Sequence, residues 1–316
     1  MLIKYGTYIG DGTSSHAITG IGFKPDMVIA KPAITSDGMA FRTKDMDAGK
    51  STYIRNDWGY ETTFIQSFEV NGFTVGSDSR INGNNSLFYY IAIAEDSAND
   101  FKVFTFTGDS TDGKALTGFG FQPAFVFIKG IQSLTGAMKF SSATDTSMVF
   151  SGGGTQDRTD LIVSLDADGC TINNGSVGSA NLVNPSVACF GFAFKSVTGK
   201  VKVGTYTGNG VDNTVIDPGF PPGLVLIKSS TSQDPCFKTP VIQGDNSIGF
   251  DYAQVNDSIQ SMNSSGFTLG TRGNVNSNTV VYNYLVVYNP TNLNGLSNKI
   301  RNISVGNGMS RSELAS

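Results

Sequence analysis

The chain has 316 residues, with 22 Lys plus Arg against 26 Asp plus Glu and a formal charge of -4. That length holds two or three domains with sizeable cores, and the acidic balance excludes the clustered cations with which a nucleic-acid binder displaces counterions from phosphates. No run approaches the eighteen or so apolar residues of a membrane helix, and no basic leader with an apolar run opens the sequence, so neither membrane insertion nor secretion is expected.

Only 15% of the residues are charged, whereas Gly numbers 38 and Phe 22. Good helix formers are sparse, and aromatic or β-branched runs stand between Gly, Asn and Asp punctuation. The composition predicts an all-β chain.

The first predicted strand is Lys4-Tyr5-Gly6-Thr7-Tyr8-Ile9, whose alternation suits a half-buried strand; Gly10-Asp11-Gly12 then supplies a tight turn. Next comes Gly22-Phe23-Lys24-Pro25, with Pro fitted to the start of a strand, before the apolar run Met27-Val28-Ile29-Ala30-Lys31, which suits a strand covered on both faces. Asn71-Gly72-Phe73-Thr74-Val75 carries a hairpin signal, and Phe88-Tyr89-Tyr90-Ile91-Ala92-Ile93-Ala94 closes the unit.

These four signatures return twice in the same order. Lys102 to Asp109, Gly120 to Lys129, Asp168 to Ile172 and Cys189 to Phe194 form the second set. Lys202 to Gly210, Gly219 to Lys228, Ser265 to Leu269 and Tyr282 to Tyr288 form the third. Fixed spacing of this kind marks tandem structural repeats. The expected architecture is three β-sandwich (jelly-roll-like) repeats of about 95–100 residues, spanning 1–98, 99–198 and 199–290. Each is expected to hold six to eight strands in two packed sheets, with short linkers that make the units pack side by side. A polar segment, 291–316, is expected to be an extended C-terminal arm that docks on a neighbouring subunit, because it has too little apolar content for a core of its own.

The candidates for chemistry are few. His16, the only histidine, falls in a polar turn and reads as a surface residue. One His and three unpatterned Cys cannot build an ordinary zinc site; Cys170, Cys189 and Cys236 read as buried apolar thiols rather than a disulfide framework. No Gly-x-Ser-x-Gly elbow surrounds a serine, and Gly152-Gly153-Gly154 lacks the Lys and Ser/Thr of a phosphate loop. The carboxylate pairs Asp45/Asp47, Asp157/Asp160 and Asp166/Asp168 would be needed for glycoside cleavage, yet they sit in turn-like stretches. The Gly-Asp turns lack the acidic ladder of a calcium loop. Tyr5, Tyr8, Trp58, Tyr60, Tyr89, Tyr206 and Tyr252 could form a sugar-stacking platform, although core packing is the simpler reading. No catalytic, cofactor-binding or metal-binding residue is therefore assigned, and no cofactor is expected.

The repeat, Lys-x-Gly-Thr-Tyr-Thr-Gly-Asn-Gly with Gly-Phe-x-Pro and an apolar run ending in Lys, resembles a β-rich repeat of tailed-bacteriophage virion structural proteins, of the tail-fibre or capsid-decoration type. The third copy matches best; the second departs most, with Phe104 in place of Gly and Cys170 in place of Phe. The resemblance covers about residues 1–290 and brings no catalytic residues. It implies a non-enzymatic protein on the virion exterior, made in the bacterial cytoplasm, with other capsid or tail subunits and copies of itself as partners. Capsid decoration is the leading expectation, and the three copies would then mimic a trimer. A tail appendage that binds the host surface, or a protein that binds or degrades carbohydrate, is the alternative, with a host surface glycan as partner.

Overall fold

The structure is a computed structural model and describes residues 1–54, 59–131, 136–143, 146–149, 157–174, 186–231, 233–250 and 252–290. The expected C-terminal arm lies outside the described residues. The first repeat contains β1 (Leu2–Ile9), β2 (His16–Thr19), β3 (Met27–Pro32), β4 (Ala40–Thr43), β5 (Thr52–Tyr53), β6 (Ile65–Glu69), β7 (Gly72–Val75), the single turn of helix α1 (Ser79–Asn82) and β8 (Leu87–Ala94). The second runs β9 (Phe101–Thr107), β10 (Lys114–Thr117), β11 (Phe125–Gly130), β12 (Ala137–Phe140), β13 (Ser147–Val149), β14 (Asp157–Arg158), β15 (Ile162–Asp166), β16 (Gly169–Ile172) and β17 (Ala188–Phe194). The third comprises β18 (Val201–Thr207), β19 (Thr214–Ile216), β20 (Pro222–Ser229), β21 (Cys236–Lys238), β22 (Asn246–Gly249), β23 (Gln254–Asn256), β24 (Ile259–Met262), β25 (Phe267–Leu269), α2 (Gly273–Asn276) and β26 (Val281–Tyr288).

All three repeats share one topology. A large antiparallel sheet is ordered β1-β8-β3-β4-β5, β9-β17-β11-β12-β13-β14 and β18-β26-β20-β21-β22-β23 in turn. A three-stranded sheet, β2-β7-β6, β10-β16-β15 or β19-β25-β24, covers one face of it. The expected hairpins are the pairs β6–β7, β15–β16 and β24–β25. Extra short strands at the sheet edge bring the described strands to nine in the second and third repeats.

The apolar runs are explained by burial on both faces. In β8, Phe88, Tyr90 and Ala92 pack with Ile18, Phe73 and Val75 of the small sheet, while Tyr89, Ile91 and Ile93 face the other way. In β17, Cys189 and Ala193 face their own small sheet, and Phe190, Phe192 and Phe194 face away. The outward set of every repeat enters one common core that also holds Met27, Phe125, Leu226 and Leu285. A cavity of about 40 Å³ sits in it, lined by six side chains of the first repeat, five of the second and five of the third, all apolar. Each large side chain buried there contributes about 1.5–3 kcal/mol. The large sheets thus hold the three repeats together as one body.

The contacts around this core close a ring. Phe41 meets Phe127 at 5.7 Å and Phe192 at 6.0 Å between ring centroids, joining the first repeat to the second. Tyr89, Phe190 and Asn283 occupy matching register positions, opposite Thr7, Thr105 and Thr205. Each reaches the repeat on the same side. Tyr89 donates its hydroxyl to Gln254 at 3.2 Å, Phe190 packs against Tyr60 at 6.3 Å, and Asn283 accepts from the Ser142 hydroxyl at 2.8 Å. The linkers meet too: Asp100, 2% exposed, takes the Met1 amine and Lys200, whose ammonium lies over the Tyr288 ring.

Candidate functional site

The lysine that ends each apolar run is buried. Lys31, Lys129 and Lys228 are 1%, 0% and 0% exposed. Lys31 donates to the Thr35 and Asp37 carbonyls, and Lys228 to those of Ser229 and Thr231 at 2.5 and 2.6 Å. On the neighbouring strand Arg42, Lys139 and Lys238 stand opposite Val28, Val126 and Val225. Arg42 donates to the Asp47 and Lys50 carbonyls, Lys139 to Thr146 and Lys238 to Gly244 and Asn246. These cations close loops through main-chain oxygens, which offsets part of their desolvation. Burial pushes both Lys31 and Lys238 down to about 8. Lysine at the end of an apolar strand was the sequence signal for this arrangement.

A second recurrent device clasps the Gly-Asp/Asn-Gly turns. Asn82 accepts the Asp11 amide at 3.0 Å and donates to the Thr13 carbonyl; Asn276 accepts the Asn209 amide at 3.0 Å and donates to Val211. Tyr8 and Tyr206 each send a hydroxyl 2.6 Å to the carbonyl of the residue before that Asn, Ile81 or Val275.

The sequence candidates resolve into local roles. His16 is on β2, not in the preceding turn: it pairs with Val75, its Nδ1 lies 2.9 Å from Asn82 Oδ1 and its ring meets Tyr8 edge-on. Asp47 takes the Lys50 amine at 2.9 Å, and Asp45 is an exposed neighbour. Asp160 pairs with Arg158 at 2.6 Å, while the side chain of Asp157 lies outside the description. Asp166 accepts hydroxyls from Ser164 and Thr171, and Asp168 takes the Gly118 and Gly120 amides. Asp157 and Asp166 lie on β14 and at the end of β15 rather than in turns, and the described side chains Asp47, Asp160, Asp166 and Asp168 are each held by their own local partners. Asp11 and Asp109 similarly take the Thr13 and Thr111 amides.

All three cysteines are buried thiols, and burial pushes each up to about 12. Tyr5, Tyr8 and Tyr89 are buried, and Tyr60, Tyr206 and Tyr252 are half-buried, so they build core and loop support rather than an exposed platform. Trp58 and Gly152-Gly153-Gly154 lie outside the described residues.

One large concave feature was not legible in the sequence. In the third repeat a groove of about 1000 Å³ is lined by the Gly219–Pro222 segment, the loop 239–244 and the edge strand β24 with its following turn, together with Tyr288 and Asn289. The second repeat has a smaller groove, about 410 Å³, in the matching place, lined by Gln122, Pro123, Ser141 and Val163–Leu165. In the first repeat, Phe68 stands where the others have Leu165 and Met262, and the Arg42 guanidinium lies over its ring at 5.5 Å. Common topology with different side chains and loops therefore gives three different surfaces.

Two buried polar atoms belong to residues of the large groove. The Thr239 hydroxyl and Gln260 Oε1 have no hydrogen-bond partner. Lys238 is also in its wall, but only 4% exposed, with its amine held by carbonyls. The sole carboxylate in the wall, Asp217, takes the Gly219 amide at 2.6 Å.

No family model matches the chain. No curated protein matches it either.

Proposed function

We propose that this chain is a non-enzymatic structural protein of a tailed-phage exterior, a ready-made threefold unit that stabilises or decorates the capsid. One observation carries the reading: three sandwiches bury their large sheets in a single core and close a ring, leaving the small sheets and loops for docking. The resemblance of the four recurring signatures to virion repeats supports the particle assignment. The local engagement of the described candidate carboxylates and of His16 agrees with a binding rather than a turnover role. The partners are capsid subunits, with the ring set on a site of matching threefold symmetry.

Cryo-electron microscopy of purified particles tests this. A triangular density of three sandwiches on the shell is the expected result. Absence of the chain from the particles, by mass spectrometry of the same sample, overturns it. The groove of the third repeat favours a second placement, a tail appendage that contacts the host surface, and density at the tail would select it.

A further inference from the structure

We infer that the groove of the third repeat is a binding site for a neutral oligosaccharide. The inference stands on the groove alone and does not depend on where the chain sits. Its volume, about 1000 Å³, is at the upper end of ligand pockets, enough for several sugar rings.

The wall has the mixture that sugars need. Pro221, Pro240 and Met262 offer apolar surface for the C–H faces of sugar rings, over a floor of nearly buried Phe220, Ile242 and Tyr288. Gln243 and Asn263 bring carboxamides that can meet hydroxyls. Asn263 spends its oxygen on the Ser265 and Gly266 amides at 3.0 and 2.8 Å, which leaves its amino group to donate outward.

Charge narrows the class. The Lys238 amine is committed to the Gly244 and Asn246 carbonyls, and Asp217 to the Gly219 amide, so neither is aimed at a ligand of opposite charge. An acidic sugar or a phosphate would find one nearly buried ammonium, already held by two carbonyls, whereas a neutral polyhydroxylated chain needs no counter-charge.

The edge strand argues against the other extended ligand, a peptide added to the sheet. β24 has only four residues and carries a register shift between Ile259 and Ser261. The same irregularity recurs between Ile65 and Ser67 and between Ile162 and Ser164. Bulges at sheet edges disrupt the regular ladder that strand addition needs.

The test is isothermal titration of the full chain with malto-, cello-, manno- and chitohexaose. At least one is expected to bind, and Ser264→Trp, which fills the groove from an exposed turn, is expected to weaken it at least about tenfold. Val163→Trp, in the smaller groove of the second repeat, should leave binding unchanged. Failure of all four sugars to bind overturns the inference, and so does binding that survives Ser264→Trp in folded protein. Uptake of an alternating Thr-Val hexapeptide with no sugar binding would give the groove to a peptide strand and overturn it equally.

Discussion

Phe104 and Gly191 stand opposite each other on β9 and β17, and they are the reverse of the pair that the other repeats use. Gly6 faces Tyr90 in the first repeat and Gly204 faces Tyr284 in the third. In each case the aromatic ring lies across the glycine, so that an added Cβ would come within 2.3 Å of the Tyr90 ring, 2.4 Å of Phe104 or 2.5 Å of the Tyr284 hydroxyl. The departure at Phe104 is thus an exchange of ring and glycine between two strands, which keeps one aromatic over one bare backbone position. Phe104 also packs at 4.5 Å between ring centroids against Phe119, in the core where Cys170 replaces a bulky phenylalanine.

The pair should behave as a unit. Gly6→Phe alone overpacks the site and is expected to cost about 1–3 kcal/mol or more, and Tyr90→Gly alone about 3–5 kcal/mol through the cavity it leaves. The double variant rebuilds the second repeat's pair and should lose clearly less than the sum. Urea unfolding of the four proteins measures the coupling, and simple additivity would show that the ring and glycine are not linked.

Shared burial predicts cooperative unfolding. Calorimetry should record one transition, and Leu226→Ala, a truncation of about 2–5 kcal/mol in the common core, should move all of it downward. Three resolved transitions, with only one shifted by the change, would mean that the repeats unfold independently.

Two buried lysines should contribute more stability as pH rises above neutrality. Lys31 and Lys238 hold their protons less tightly folded, at about 8, than in the unfolded chain. At these two sites the unfolded chain therefore binds more protons between about pH 8 and 10.5, and their contribution to stability increases through that window. Buried Tyr5 and Tyr8 and half-buried Tyr206, with hydroxyl pKa values raised by desolvation, act in the opposite sense above about pH 10, and the three buried thiols do so above about pH 8.5, where only the unfolded chain loses those protons. The unfolding free energy of the parent chain minus that of the double variant Lys31→Met and Lys238→Met should rise from pH 7 to about 10.5. A difference that stays flat or falls over that range would contradict this assignment.

The thiols should be silent in the folded chain. With Cys170, Cys189 and Cys236 pushed up to about 12 and buried, iodoacetamide at pH 8 should label none within the time that labels a free thiol fully. Denaturant should expose all three. Mass spectrometry reads the count, and rapid labelling of Cys236 without denaturant would refute its burial.

Much of the fold was legible because turns and strand starts are local chemistry. Gly10-Asp11-Gly12 and Asn71-Gly72 mark their turns wherever the strands later go. The common core was not legible, since Phe88 to Ala94 reads as an apolar run whatever covers its second face. His16 was misplaced into a turn because its neighbours are polar, while pairing with Val75 draws it into a strand. The exchange at Phe104 becomes visible only when β9 is laid against β17. The groove depends on how the loop 239–244 stands relative to β24, a long-range relation that no short motif encodes.

The closed ring has an evolutionary corollary. When three separate polypeptides form such a ring, every substitution is written into all three members at once, and a change useful on one flank is imposed on the other two. Here each position is inherited singly. That freedom has let Tyr89, Phe190 and Asn283 acquire three unlike neighbours, and has let one flank open while the first is plugged by Arg42 and Phe68. Fusion converts a symmetric scaffold into one with a front.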